Sequence, residues 1–176
     1  SRHYRRKNKC LVITAQKLMS VVINILKTYY KPNQTYTKLF AAGASEKENL
    51  AYLVGGCVIS FVAQWPAQSR QAFINQQPVD ELMGAILLSN LFLLPLIFYL
   101  VSAIIFIFLK IFKSNILAVE LRLIIFWSYL AATPILLLVG LVEGFFGKSY
   151  QYYTVAGLWL SVFLAFVYSG FRVRSK

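Results

Sequence analysis

Acidic residues, histidine and cysteine are the scarce ones in this chain of 176 residues: six carboxylates, one histidine (His3) and two cysteines (Cys10 and Cys57) are all it has. One histidine and two separated cysteines are too few for a metal cage or a disulfide framework. Asp80 is the only aspartate, and neither a histidine nor an aspartate falls inside a long apolar stretch. The paired carboxylates, nucleophile and base couples, or metal ligands that an enzyme in a membrane requires therefore have no candidates. Gly55-Gly56 lies within an apolar stretch and lacks the Lys-Ser/Thr that completes a phosphate loop. The expectation is a protein with no catalytic residues, no cofactor and no metal.

What the chain has instead is apolar surface. Of its residues 59% are hydrophobic and 14% charged, with mean hydropathy +0.62, against roughly 45–50% and about 25% in soluble domains. Eighteen Lys+Arg give a net charge of +12. A nucleic-acid module needs a soluble basic face, whereas these cations flank uncharged runs, so no nucleic-acid partner is expected and the charge reports topology.

Four uncharged runs stand out: Asn49 to Ser69, Leu82 to Leu109, Leu123 to Val142 and Ser149 to Phe171. A hydrocarbon core of about 30 Å takes about 20 helical residues, and continuous apolar runs of this length exclude the short alternating strands of a β-barrel. The fold class expected is an all-α integral membrane protein, a four-span helical bundle with five spans as the alternative, preceded by an interfacial amphipathic helix, with spans at about 49–69, 82–109, 118–142 and 149–171 inside a region 45–171. Ser45-Glu46-Lys47-Glu48 has the capping-box form, which starts the first span near Ser45. Pro66 is expected to end or kink that span at the far surface. Pro78 with Asp80 and Glu81 opens the second. That run, roughly 42 Å as a helix, should tilt, kink near Pro95 or protrude, with a re-entrant hairpin as the alternative.

Ahead of the spans lies a region 19–44; beginning at Leu18, just before it, Leu18, Val21, Val22, Ile25, Leu26 and Tyr29 recur at helical spacing, with Asn24, Lys27, Thr28 and Lys31 on the other side. The expectation is an amphipathic helix, ended by Lys31-Pro32, lying in the headgroup plane, so that Leu18, Val22, Ile25, Leu26, Tyr29, Lys27 and Lys31 are candidate membrane-surface residues. A helix packing on a partner subunit is the alternative. Residues 1–18 carry six basic residues and no acid. They read either as a tail for anionic lipid or as a segment upstream of a start at Met19.

Ten Lys+Arg precede the first run, three lie between the second and third, and three follow the fourth in a basic tail 172–176; each remaining loop has one. By the positive-inside rule both termini are cytoplasmic. Within the runs, Asn90 and the hydroxyls are expected to hydrogen-bond between helices, and Pro95 and Pro134 to kink theirs, each freeing a carbonyl that a hydroxyl such as Thr133 must satisfy. Gly157, Ser161, Ala165 and Ser169 repeat every fourth residue, a small-residue stripe expected to be a packing face, with another span or a second copy as its partner.

Four segments carry a resemblance: Leu26-Lys27-Thr28-Tyr29 with Pro32; Phe61-Val62-Ala63-Gln64-Trp65-Pro66; Leu94-Pro95-Leu96-Ile97-Phe98-Tyr99; and Phe126-Trp127 with Ala131-Ala132-Thr133-Pro134, Gly140-Leu141-Val142 and Gly144-Phe145. Over Ile23 to Phe171 the chain resembles small bacterial members of the Yip (Ypt-interacting protein) family of integral membrane proteins. The resemblance implies a helical protein of the bacterial inner membrane, multi-pass, with a cytoplasmic N-terminus. Met19-Ser20-Val21 also resembles how such proteins begin. The family's eukaryotic members are linked to Rab-type GTPases, but this chain lacks their long N-terminal region and shows four spans where five are usual, so GTPase binding does not carry over. The expected role is non-enzymatic, organising the membrane or scaffolding other membrane proteins, with the lipid bilayer, other membrane proteins or a second copy as partners. A small transporter or an accessory subunit of a larger complex is the alternative.

Overall fold

A computed structural model describes residues 19–112 and 115–175. Leu18 and the basic segment 1–18 lie outside the described residues. The described chain is helical throughout: α1 (residues 19–30), α2 (Pro32–Ala41), α3 (Glu46–Asn75), α4 (Val79–Ile111), α5 (Ala118–Phe146) and α6 (Tyr150–Arg174). The last four are long and apolar enough to cross a membrane, which makes the protein an all-α membrane bundle. Its two ends are distinct. One carries the starts of α3 and α5 and the ends of α4 and α6; the other carries the two short connections 76–78 and 147–149.

Local chemistry explains most of the boundaries. Ser45 caps α3, its Oγ accepting the Glu48 N–H at 3.3 Å. Pro78 precedes α4, with Asp80 and Glu81 in the first turn, where carboxylates meet the positive end of the helix dipole. Glu120 accepts the Leu117 N–H at 3.0 Å at the start of α5. Gln76 in the left-handed region (φ 53) closes α3.

Two expectations change. Pro66 does not end the first span: α3 runs through it to Asn75, the missing N–H being tolerated inside a membrane helix. The first helix ends before Lys31-Pro32, and Pro32 then occupies the first position of α2, where its fixed φ suits a helix start. The basic tail begins later, because α6 continues through Arg172 to Arg174. The second run is one continuous helix rather than a re-entrant hairpin, and a π-helical turn at Ser89–Leu93 stands just before Pro95. The widened turn accommodates a ring that would otherwise meet the Leu91 carbonyl.

The centre of the bundle is α5. Residues 123–133 are all buried, on every side of the helix, enclosed by α3, α4, α6 and the α1–α2 pair. Helices α3 and α5 cross so closely that a Cβ on Gly140 would lie 1.7 Å from the Ala63 carbonyl oxygen, and one on Gly144 would lie 2.5 Å from Pro66 Cβ. Small residues allow this approach, and in lipid such contact is what holds helices together.

Candidate functional site

The N-terminal helices are not laid loosely on the surface but docked onto α5 and α6. Thr28 and Tyr36 are fully buried. Trp127 Nε1 donates to Thr28 Oγ1 at 3.3 Å, and Thr28 in turn donates to the Asn24 carbonyl at 2.7 Å. Ser128 donates to the Ile124 carbonyl at 2.6 Å, so the hydroxyl hydrogen in the 2.7 Å bond between Tyr36 and Ser128 belongs to Tyr36. Burial pushes the Tyr36 phenol above its usual pKa, against a smaller lowering by the Ser128 hydroxyl, and keeps it a donor. Tyr29 donates to the Ala131 carbonyl at 2.9 Å and sets its ring edge-on to Phe166.

This docking splits the candidate membrane-surface residues. Val21, Asn24, Ile25 and Thr28, at i, i+3, i+4 and i+7, form the side turned toward the bundle, so Ile25 packs inward against the Tyr36, Trp127 and Leu130 cluster. Val22 and Leu26 remain 55% and 59% exposed, with Lys27 and Lys31 also exposed. The polar Thr28, assigned by its chemistry to the wet face, is at the centre of the contact. Its partner Trp127 is 99 residues away in sequence, and no local pattern could join them.

Inside the bundle several polar side chains are joined to one another and to backbone, while Asn49 Oδ1 and Trp159 Nε1 are buried with no hydrogen-bond partner among the described residues. Gln64 Nε2 donates to Asn90 Oδ1 at 3.3 Å, and Asn90 Nδ2 donates to the Ile86 carbonyl at 3.0 Å. Asn90 thus ties α3 to the π turn of α4, as expected of a buried amide. Pro134 frees the Leu130 carbonyl, and Thr133 Oγ1 supplies the lost donor at 2.7 Å. Asn49 Nδ2 donates to the Val119 carbonyl at 2.9 Å. At the terminus-bearing end Glu46 pairs with Arg122, which also lies 5.4 Å from the Tyr99 ring centre, and Glu120 accepts from Arg174 at 2.8 Å. These charges link α3 with α5, α4 with α5, and α5 with α6 at partly exposed positions.

The stripe of α6 is placed differently from the expectation that it packs on another span. Gly157, Ser161 and Ala165 are exposed and Ser169 half-buried. A Cβ on Gly157 would meet nothing within 4 Å. The hydroxyls of Ser161 and Ser169 return to their own helix, at Gly157 and Ala165. The side of α6 that packs carries Phe166 and Gly170, with Gly170 against Ile124 and Tyr36. Spacing alone marks small residues without saying which side of a helix meets a neighbour.

Among the described residues, no group of three or more His, Cys, Asp or Glu side chains could hold a metal ion. Comparisons with protein-family models, with curated proteins and with solved structures give no match.

Proposed function

We propose that this multi-pass membrane protein is non-enzymatic and organises the bilayer or holds other membrane proteins, through its docked N-terminal helices and the broad apolar faces of α4 and α6. The observation that carries this reading is how the interior polar groups are used. Tyr36 with Ser128, Gln64 with Asn90, and Thr28 with Trp127 are spent on holding helices together, while α4 turns Phe92, Leu96, Leu100, Ile104 and Ile107 outward. A helix that is long, apolar and mostly uncovered within its own chain offers its surface to lipid or to other membrane helices.

A bacterial inner membrane and kinship with the Yip family are the finer parts of the proposal. They rest on the four short segments of likeness, since no family model matches. Purification of the whole complex in mild detergent, followed by mass spectrometry, tests the scaffolding role. Recovery of a defined membrane partner in stoichiometric amount supports it. Solute flux across proteoliposomes would favour a transporter instead.

The orientation is proposed from charge: the end bearing Lys31, Arg122 and Arg174 is cytoplasmic. Single cysteines at 70 and 148, in a background where Cys10 and Cys57 are replaced by serine, should react with an impermeant maleimide from outside intact cells. Cysteines at 31 and 113 should react only after the membrane is opened. Labelling at 113 in sealed cells would reverse the assignment.

A further inference from the structure

Between α2, the start of α5 and the end of α6 lies a cavity of about 610 Å³. Its walls differ in chemistry. Phe40 and Val173 are apolar; Asn33, Arg172 and Arg174 bring hydrogen-bond donors; Glu120 is the one acid. Glu120 is already engaged, since its Oε2 accepts both the Leu117 N–H at 3.0 Å and Arg174 Nε at 2.8 Å. This fixes the Arg174 guanidinium while leaving its terminal amino groups without a hydrogen bond among the described residues. The side chains of Arg172 and Asn33 have none either. The two arginines and one glutamate sum to a single uncompensated positive charge.

The depth of the cavity narrows the ligand. Arg172 directly follows the apolar run that ends at Phe171, so the guanidinium groups stand where a spanning helix leaves the hydrocarbon and the phosphates of a leaflet begin. A phosphodiester carries one negative charge, and a guanidinium fork matches its oxygens. Phe40 and Val173 give the glycerol and upper acyl carbons of a lipid a surface that a free anion could not use. We infer that the cavity between α2, α5 and α6 is a binding site for the phosphate of an anionic phospholipid, of the phosphatidylglycerol type, in the leaflet at the terminus-bearing end. A zwitterionic headgroup brings an ammonium, and Glu120, its only counterion here, is already held by Arg174.

The inference requires the membrane placement but not the scaffolding role, so either can fail without the other. The full chain is reconstituted in phosphatidylcholine nanodiscs, and the motionally restricted fraction of spin-labelled phosphatidylglycerol is compared with that of spin-labelled phosphatidylcholine. The parent should prefer the anionic lipid. Arg172→Ala should lower its association constant about tenfold, the loss of a charge-assisted hydrogen bond. Asn33→Ala should lower it less, and Arg172→Lys should restore part of the preference. Lys148→Ala, at the opposite end, should leave it unchanged and shows that net charge is not what is read. No preference in the parent, or an undiminished one in Arg172→Ala, overturns the site. Displacement of the labelled lipid by inorganic phosphate at equal concentration overturns the lipid as its ligand and assigns the cavity to a soluble anion.

Discussion

Replacing Gly140 by alanine is expected to destabilise the bundle by on the order of 3 kcal/mol, at the upper end of overpacking costs. The single added carbon would sit 1.7 Å from the Ala63 carbonyl oxygen. That neighbour is backbone, so no side chain can swing aside, and α3 must move away from α5 along the crossing. Gly144→Ala meets Pro66 Cβ at 2.5 Å and Pro66 C at 2.9 Å, and should cost less, because the overlap is shallower than at Gly140. Gly157→Ala on the outer stripe has nothing within 4 Å and should change stability by no more than about 0.5 kcal/mol. Thermal unfolding in detergent micelles measures all three. If Gly157→Ala lowers the midpoint as far as Gly140→Ala, the stripe is covered by a second copy and is itself an interface.

Trp127→Ala should cost about 3–5 kcal/mol, as for a fully buried indole, and the loss should be unevenly spread. Trp127 is 0% exposed, packs edge-on against Tyr52 of α3 and donates to Thr28 of α1. Removing it opens a cavity where three helices meet and releases the N-terminal pair before the spans. Limited trypsin digestion in micelles should show faster cleavage after Lys27 and Lys38, with the spans still folded; Lys31 is followed by Pro32 and resists cleavage in either state. Trp127→Phe keeps most of the ring and loses one hydrogen bond, worth about 1 kcal/mol. If cleavage after Lys27 is unchanged in Trp127→Ala while the bundle is destabilised, then Tyr29 and Tyr36 anchor α1 and α2 without help from the indole.

Both variants act at contacts between residues far apart in the chain, which is where sequence reading lost its grip. Gly140 and Gly157 are each small residues in an apolar helix, and a repeat of small residues at every fourth position is present in α6, where a Cβ on Gly157 would meet nothing within 4 Å. The tight crossing uses Gly140 and Gly144, which have the same spacing. The two cannot be told apart without knowing which helix lies opposite. Thr28 is similar: its hydroxyl looks like a wet-face group until Trp127 is placed over it. Arg172 and Arg174, read as part of a basic tail, become the wall of a cavity only because α6 stays helical past the uncharged run that ends at Phe171 and α2 lies alongside.

The sequence by itself determined that the chain is a helical membrane protein with four spanning runs, where those helices start, and which end carries the positive charge. Each of these follows from a property of consecutive residues. The bilayer tests every stretch for length and polarity, a cap satisfies backbone groups within one turn, and cation counts belong to loops. The tertiary structure alone decided which helix is central and which faces pack. The most apolar run, in α4, is almost uncovered, whereas α5 is buried on all sides over residues 123–133. Lipid is as apolar as leucine, so burial in protein and exposure to hydrocarbon leave the same composition in a helix. Only the backbone approach of Gly140 to Ala63 and the long-range bonds of Thr28 and Tyr36 separate the two.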